Sequence, residues 1–182
     1  MWKIISLFTL LVLAQAADIH DIYGDWWEVA FYPVSTYAPL CIQFRFAKSV
    51  GEVNCTYADG RNATLVEATM MTEKGQVINH HWVPLMMVNT PAEVMPALNI
   101  SVKCDGQDMR DRAVVKLVNE DYFILYSNIP ASMEYTRSEI EQNSAILFGR
   151  NLVSSEQLGT VMMSIEDLKN RRGAQTCGTW NY

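Results

Sequence analysis

Apolar and polar residues alternate with a period of two along much of the chain, the spacing that buries one face of a β-strand and leaves the other wet. In CIQFRFA, residues Ile42, Phe44 and Phe46 alternate with Gln43 and Arg45. In GEVNCTYA, residues Val53, Cys55 and Tyr57 oppose Asn54 and Thr56, and the run ends at the turn dipeptide Asp59-Gly60. In LNISVKC, residues Leu98, Ile100, Val102 and Cys104 oppose Asn99, Ser101 and Lys103. Further strands are expected at 64–72, 76–87, 113–118, 122–129 and 145–150, each rich in β-branched or aromatic residues and bounded by turn signals. Residues 73–97, interrupted by Pro84, Pro91 and Pro96, read as one strand followed by an irregular loop. With the segment that opens at Trp26, this gives about eight or nine strands, and a closed eight-stranded antiparallel up-and-down barrel would remove their exposed edges.

The period changes once, near the C-terminus. Ser154 with Gln157 forms a capping box, and Leu158, Val161, Met162, Ile165 and Leu168 recur at helical spacing before Gly173 supplies a stop. This predicts one amphipathic helix packed outside the barrel, because its polar face lacks the basic stripe of a membrane-surface helix. No internal repeat or interdomain linker interrupts the reading.

The chain begins MWKIISLFTLLVLAQA, with a basic start at Lys3, an apolar core and a small-x-small ending at Ala14-Gln15-Ala16. That is the pattern of a cleaved signal peptide over residues 1–16, too short for the roughly 20 residues that span a bilayer, which leaves 17–182 as one domain. Removing Lys3 leaves 13 basic against 20 acidic residues, a net charge of −7. Such a surface repels phosphate backbones, so nucleic acid is not an expected partner. Four cysteines, Cys41, Cys55, Cys104 and Cys177, favour two disulfides in a secreted chain. Sequons at Asn54, Asn62 and Asn99 fit the same extracellular compartment and would make the protein a glycoprotein. Alternation places Asn54 and Asn99 on outward faces, where a glycan must point.

Three stretches carry a resemblance to a known family. GDWWEV, with Gly24 and Trp26, resembles the Gly-x-Trp block on the first strand of lipocalins; FGRNLVSSEQ, with Arg150, resembles their arginine at the end of the last strand, before the helix; and DYFILYS resembles half of their middle block. The run Cys41-Ile42-Gln43 is similar to one in the apolipoprotein D and insect pigment-carrier branch. Where that middle block has Thr-Asp-Tyr, this chain has Leu117-Val118-Asn119, as an outlying arthropod member would. The resemblance implies that Cys41 pairs with Cys177, which leaves Cys55 for Cys104. That second bond requires adjacent strands, a strand end or a bulge: strands one removed lie about 9.6 Å apart, beyond the roughly 7 Å that a disulfide tolerates between Cα atoms.

The resemblance also implies a cup that holds one small hydrophobic ligand, such as a lipid, fatty acid, sterol, retinoid or pigment, for transport or sequestration. Candidate lining residues by strand parity are Phe44, Phe46, Tyr57, Val66, Met70, Ile100 and Val102, with Met86, Tyr122 and Ile124 added. Parity leaves two outcomes open, a cavity or a solid core. Gly24, Trp26 and Arg150 are assigned a structural role, with Trp26 closing the base of the barrel under the Arg150 guanidinium and Trp27 facing the helix. His80-His81 could send at most one imidazole inward, since neighbours on a strand point to opposite faces. No metal or cofactor is expected. The chain lacks Gly-x-Ser-x-Gly, His-Glu-x-x-His and Cys-x-x-Cys patterns, so an enzyme is not expected. The remaining alternatives are a secreted inhibitor or modulator that contacts another protein or a cell-surface receptor, and an isomerase using Cys55 as a cavity thiol.

Overall fold

The computed structural model describes residues 17–32, 41–51, 53–110, 112–128 and 143–177, and the segment read as a signal peptide lies outside them. At its start, Asp18 caps a 3-10 turn at Ile19–Ile22 and closes a capping box with Asp21. The strands that follow are β1 (Gly24–Tyr32), β2 (Ile42–Lys48), β3 (Cys55–Tyr57), β4 (Asn62–Thr72) and β5 (Val77–Met87). A 3-10 turn at Pro91–Glu93 leads into the short helix α1 (Val94–Leu98). Then come β6 (Val102–Cys104), β7 (Gln107–Met109), β8 (Ala113–Asn119), β9 (Tyr122–Ser127) and β10 (Ser144–Gly149). The helix α2 (Ser155–Ser164), a 3-10 turn at Glu166–Leu168 and β11 (Ala174–Gln175) complete the chain.

Seven strands close a ring in the order β1, β10, β9, β8, β5, β4, β2, with β2 bonded to both β4 and β1. This corrects the expected eight. A ring with an odd number of strands cannot alternate direction throughout, and the forced parallel contact falls between β5 and β8, at Leu85–Ala113, Met86–Val114 and Met87–Val115. Two segments read as barrel strands leave the ring, GEVNCTYA, which supplies β3, and LNISVKC. Pro91 opens a 3-10 turn and Leu98 ends α1, so only Val102–Cys104 is extended, and it pairs with β3 outside the ring. Together β3, β6 and β7 form a side sheet attached to the lower end of β4 through Cys55–Ala63 and Thr56–Asn62.

The ring separates two apolar clusters. Inside lie Trp26, Phe46, Val66, Leu85, Val115, Phe123 and Phe148, with Ile19 and Ile22 of the first turn beneath them. Outside, Val114, Ile124, Tyr126 and Leu147 of the barrel pack with Val94 and Leu98 of α1, Leu158 of α2, and the side sheet. Trp27 packs on this outer cluster, as alternation from the inward Trp26 requires.

The capping box of Ser154 with Gln157 starts α2, but the helix ends at Ser164, with Ile165 extended, rather than running on towards Gly173. Leu168 therefore reaches the outer cluster from a 3-10 turn. That turn is tied to the barrel by Asp167, whose buried carboxylate accepts from Lys116 Nζ at 2.5 Å and from the Tyr126 hydroxyl at 3.1 Å. Gly173 is needed for packing instead: a Cβ there would lie 2.1 Å from Tyr32 Cε1.

Both disulfides are formed, Cys41–Cys177 and Cys55–Cys104. The geometric difficulty of the second is resolved by adjacency, since Cys55 and Cys104 face each other directly across β3 and β6 with Cα atoms 4.0 Å apart. Cys55 is therefore no free thiol, and the thiol-isomerase alternative loses its nucleophile.

Candidate functional site

The base of the barrel is built by the turn before β1 and the residue after β10. Trp26 is fully buried, and its indole N–H donates to the Ile22 carbonyl at 2.7 Å. The Arg150 guanidinium carbon sits 3.7 Å from the Trp26 ring centroid, and its two terminal nitrogens donate to the carbonyls of Tyr23 and Asp21 at 3.1 and 3.0 Å. Gly24 has φ +106°, and a Cβ there would come within 3.0 Å of Arg150 Nη1, so both the backbone and the arginine require glycine. Above Trp26, Phe46, Phe123 and Phe148 stack and meet edge to face, filling the lower barrel.

Higher up the packing opens into a cavity of about 560 Å³. Its wall is apolar: Phe44, Phe46, Val66, Ala68, Val83, Leu85, Ala113, Leu125, Ile146 and Phe148. The size lies within the roughly 300–1,000 Å³ of small-molecule sites. The polar lining groups are His81, Arg110, Arg112, Ser127 and Asn128. Ser127 is the last residue of β9 and Asn128 follows it, and both arginines precede the start of β8. Register explains the histidine: Ala68 and His81 are partners on the inner face, while Thr69 and His80 are partners on the outer one. His80 Nδ1 accordingly lies 3.0 Å from Thr69 Oγ1 and 3.2 Å from Glu67 Oε1, outside the cavity.

Of the residues named from sequence, Phe44, Phe46 and Val66 line the cavity. Met70 pairs with Phe44 across β4 and β2 and is not among the lining residues. The others belong elsewhere. Tyr57, Ile100 and Val102 lie with the side sheet and its flank in the outer cluster, because that segment left the barrel. Met86, Tyr122 and Ile124 also pack outside. In β9 both faces are apolar, so composition gave no sign that Phe123 and Leu125 are the inward pair. Val83, Leu85, Ile146 and Phe148 follow from register with residues already placed. Arg110 and Arg112 carry no sequence signal, since their position depends on the missing strand.

One acidic side chain lies on the inner face. Glu28 is two residues beyond Trp26 and opposite Phe148. Burial pushes its carboxyl up from the ordinary 4.5 to about 7.

Two clefts of comparable size lie elsewhere. One, about 650 Å³, includes Ala17, Asp18, Arg61 and the sequon residue Asn62, and the other, about 560 Å³, includes the sequon residue Asn54. Asn54, Asn62 and Asn99 are all exposed. Among the described residues no His, Cys, Asp or Glu cluster could hold a metal, and no helix is long and apolar enough to cross a membrane.

No protein-family model and no curated protein sequence matches the chain. Among solved structures, lobster apocrustacyanin A1 is similar over 90% of this chain and 81% of its own, with a TM-score of 0.44 and 14% identity. Apocrustacyanin C2 is similar over 87% and 78%, with a TM-score of 0.43 and 14% identity. Values this low assign neither a family nor a ligand.

Proposed function

We propose that this is a secreted, lipocalin-like carrier that binds a small hydrophobic molecule in the barrel cavity for transport or sequestration. The observation that carries the reading is the division of the barrel interior into a packed floor, from Trp26 to Phe123, and an open apolar chamber above Phe46 and Phe148. A barrel that served only as a scaffold has no need of a chamber of this size lined by aromatic and aliphatic side chains. The two disulfides and the exposed sequons support an extracellular setting. The Gly24-x-Trp26 and Arg150 blocks support the lipocalin likeness through the contact they make.

Titration with an environment-sensitive apolar dye tests the reading. Saturable one-to-one binding that is weakened at least tenfold when the Ala68→Phe ring intrudes into the chamber is expected. Absence of binding, or binding unaffected by that substitution, would sink it.

A second reading, action by contact with another protein, has its own observation. Val77, Ile78 and Trp82 in the outer half of β5 are 54%, 51% and 53% exposed, a grouping of large apolar side chains on one hairpin. Substituting these three with serine would leave dye binding intact and abolish any partner complex.

A further inference from the structure

The ring is joined most weakly between β5 and β8, and polar lining groups lie on the strands and flanking residues of that seam. β5 is bonded to β8 through three residue pairs only, at Leu85–Met87. Pro84, which has no N–H to donate to a ladder, immediately precedes them. From Val77 to Pro84, β5 has β4 on one edge and no strand among the described residues on the other. An eighth strand would have filled this gap. Instead, the chain returns to the barrel through Arg110 and Arg112, and both side chains line the chamber.

Ion pairing differs among the arginines. Arg45 and Arg61 are each paired with an aspartate, Asp25 and Asp59, and Arg150 and Arg171 donate to backbone carbonyls instead. Arg112 uses one nitrogen to donate to the Ile100 carbonyl at 3.1 Å, and among the described residues neither Arg110 nor Arg112 has a carboxylate partner. Asp111, between them in sequence, lies outside the described residues. A guanidinium offers five N–H donors in a planar fork suited to carboxylate, sulfate or phosphate oxygens. Two such groups beside the apolar wall, with His81, Ser127 and Asn128 as the other polar lining residues and Arg112 also near Tyr57, complement an anion locally in a chain of net negative charge, where the overall field does not attract one.

Resting on the carrier reading, we propose that the ligand is an amphiphile with an anionic head, its apolar body against Phe44, Phe46 and Phe148 and its head held by Arg110 and Arg112 in the β5–β8 gap. The gap lets the head meet water and counter-charge together while the body is enclosed. Such a ligand is a fatty-acid-like carboxylate or an alkyl or steroid sulfate, all of which share this chemistry.

The test is displacement of a neutral apolar dye from the full secreted chain by dodecanoate, by dodecanol and by dodecyltrimethylammonium. Dodecanoate is expected to displace the dye at about one-tenth the concentration of dodecanol, with the ammonium weakest, the scale of a charge-assisted contact. Arg110→Gln with Arg112→Gln should erase the preference for carboxylate over alcohol. Arg110→Gln alone, which spares the Ile100 hydrogen bond, should reduce it about threefold and covers the case in which the double variant does not fold. Equal potency of carboxylate and alcohol, a preference for the ammonium, or a preference that survives the substitutions would overturn the head-group assignment while the carrier reading stands. Failure of the dye itself to bind would remove the carrier reading as well.

Discussion

The Arg150 guanidinium lies over the Trp26 ring at 3.7 Å while donating to the carbonyls of Asp21 and Tyr23. One side chain thus locks the turn before β1 to the end of β10, closing the base of the barrel. Its removal leaves the indole face and two carbonyls without their partner. Arg150→Ala is expected to cost about 2 kcal/mol, a fall in Tm of about 4–8 °C for a chain of this size. Dye affinity should stay within about twofold, because the cavity lies above the Phe46–Phe148 layer. Thermal melts and a dye titration on the same variant check both halves.

The two disulfides close loops of different length, with partners separated by 136 and 49 residues. Chain-entropy arguments give upper values of about 5 kcal/mol for Cys41–Cys177 and about 4 kcal/mol for Cys55–Cys104. Replacing the first pair by serine should therefore destabilise the protein at least as much as replacing the second, measured by urea unfolding. Thiol titration of the unreduced, denatured protein should find no free thiol.

Glu28 gives stability a pH dependence of defined sign. Its carboxyl titrates near 7 when folded and near 4.5 when unfolded, so the folded state favours the protonated form. Its contribution is fully present below pH 4.5 and is lost as pH rises through 7. Relative to wild type, Glu28→Gln should gain roughly 2 to 3 kcal/mol between pH 4 and pH 8. Paired denaturation curves at the two pH values read this directly, and a constant offset would show that the carboxyl is not desolvated.

What could be read from the residues depended on whether a face is wet. In β2, Gln43 and Arg45 contrast with Phe44 and Phe46, and parity placed the aromatics inside. In β9 the contrast vanishes, because one face lines the barrel and the other lies under the outer cluster; Ile124 and Phe123 are equally buried. Parity told which residues share a side but not which side was inside. The same limit misplaced LNISVKC, whose alternation is genuine in Val102 and Cys104 but serves the side sheet. The base was read through the resemblance of Gly24, Trp26 and Arg150 to the lipocalin blocks, and the structure brings the three together. The rim was not, since an arginine in a polar loop looks the same whether or not a strand is missing beside it.

The outer and inner faces of the barrel wall also separate stability from binding. Ile124→Val removes a methyl from the outer cluster and should cost about 1 kcal/mol with no change in dye affinity. Ala68→Phe on the inner face should lower dye affinity at least tenfold while Tm moves by only a few degrees, since the added ring enters existing space. If Ile124→Val weakened binding as much as Ala68→Phe, the assignment of inside and outside would be wrong.

The central claim is that the chamber above Phe46 and Phe148 carries a small molecule. Native mass spectrometry of the protein purified from its own source, before and after organic extraction, tests it most directly. The account predicts one small molecule per chain, released by extraction and rebound stoichiometrically by the stripped protein. An identical mass before and after extraction, together with failure of the stripped protein to take up any apolar compound, would contradict it.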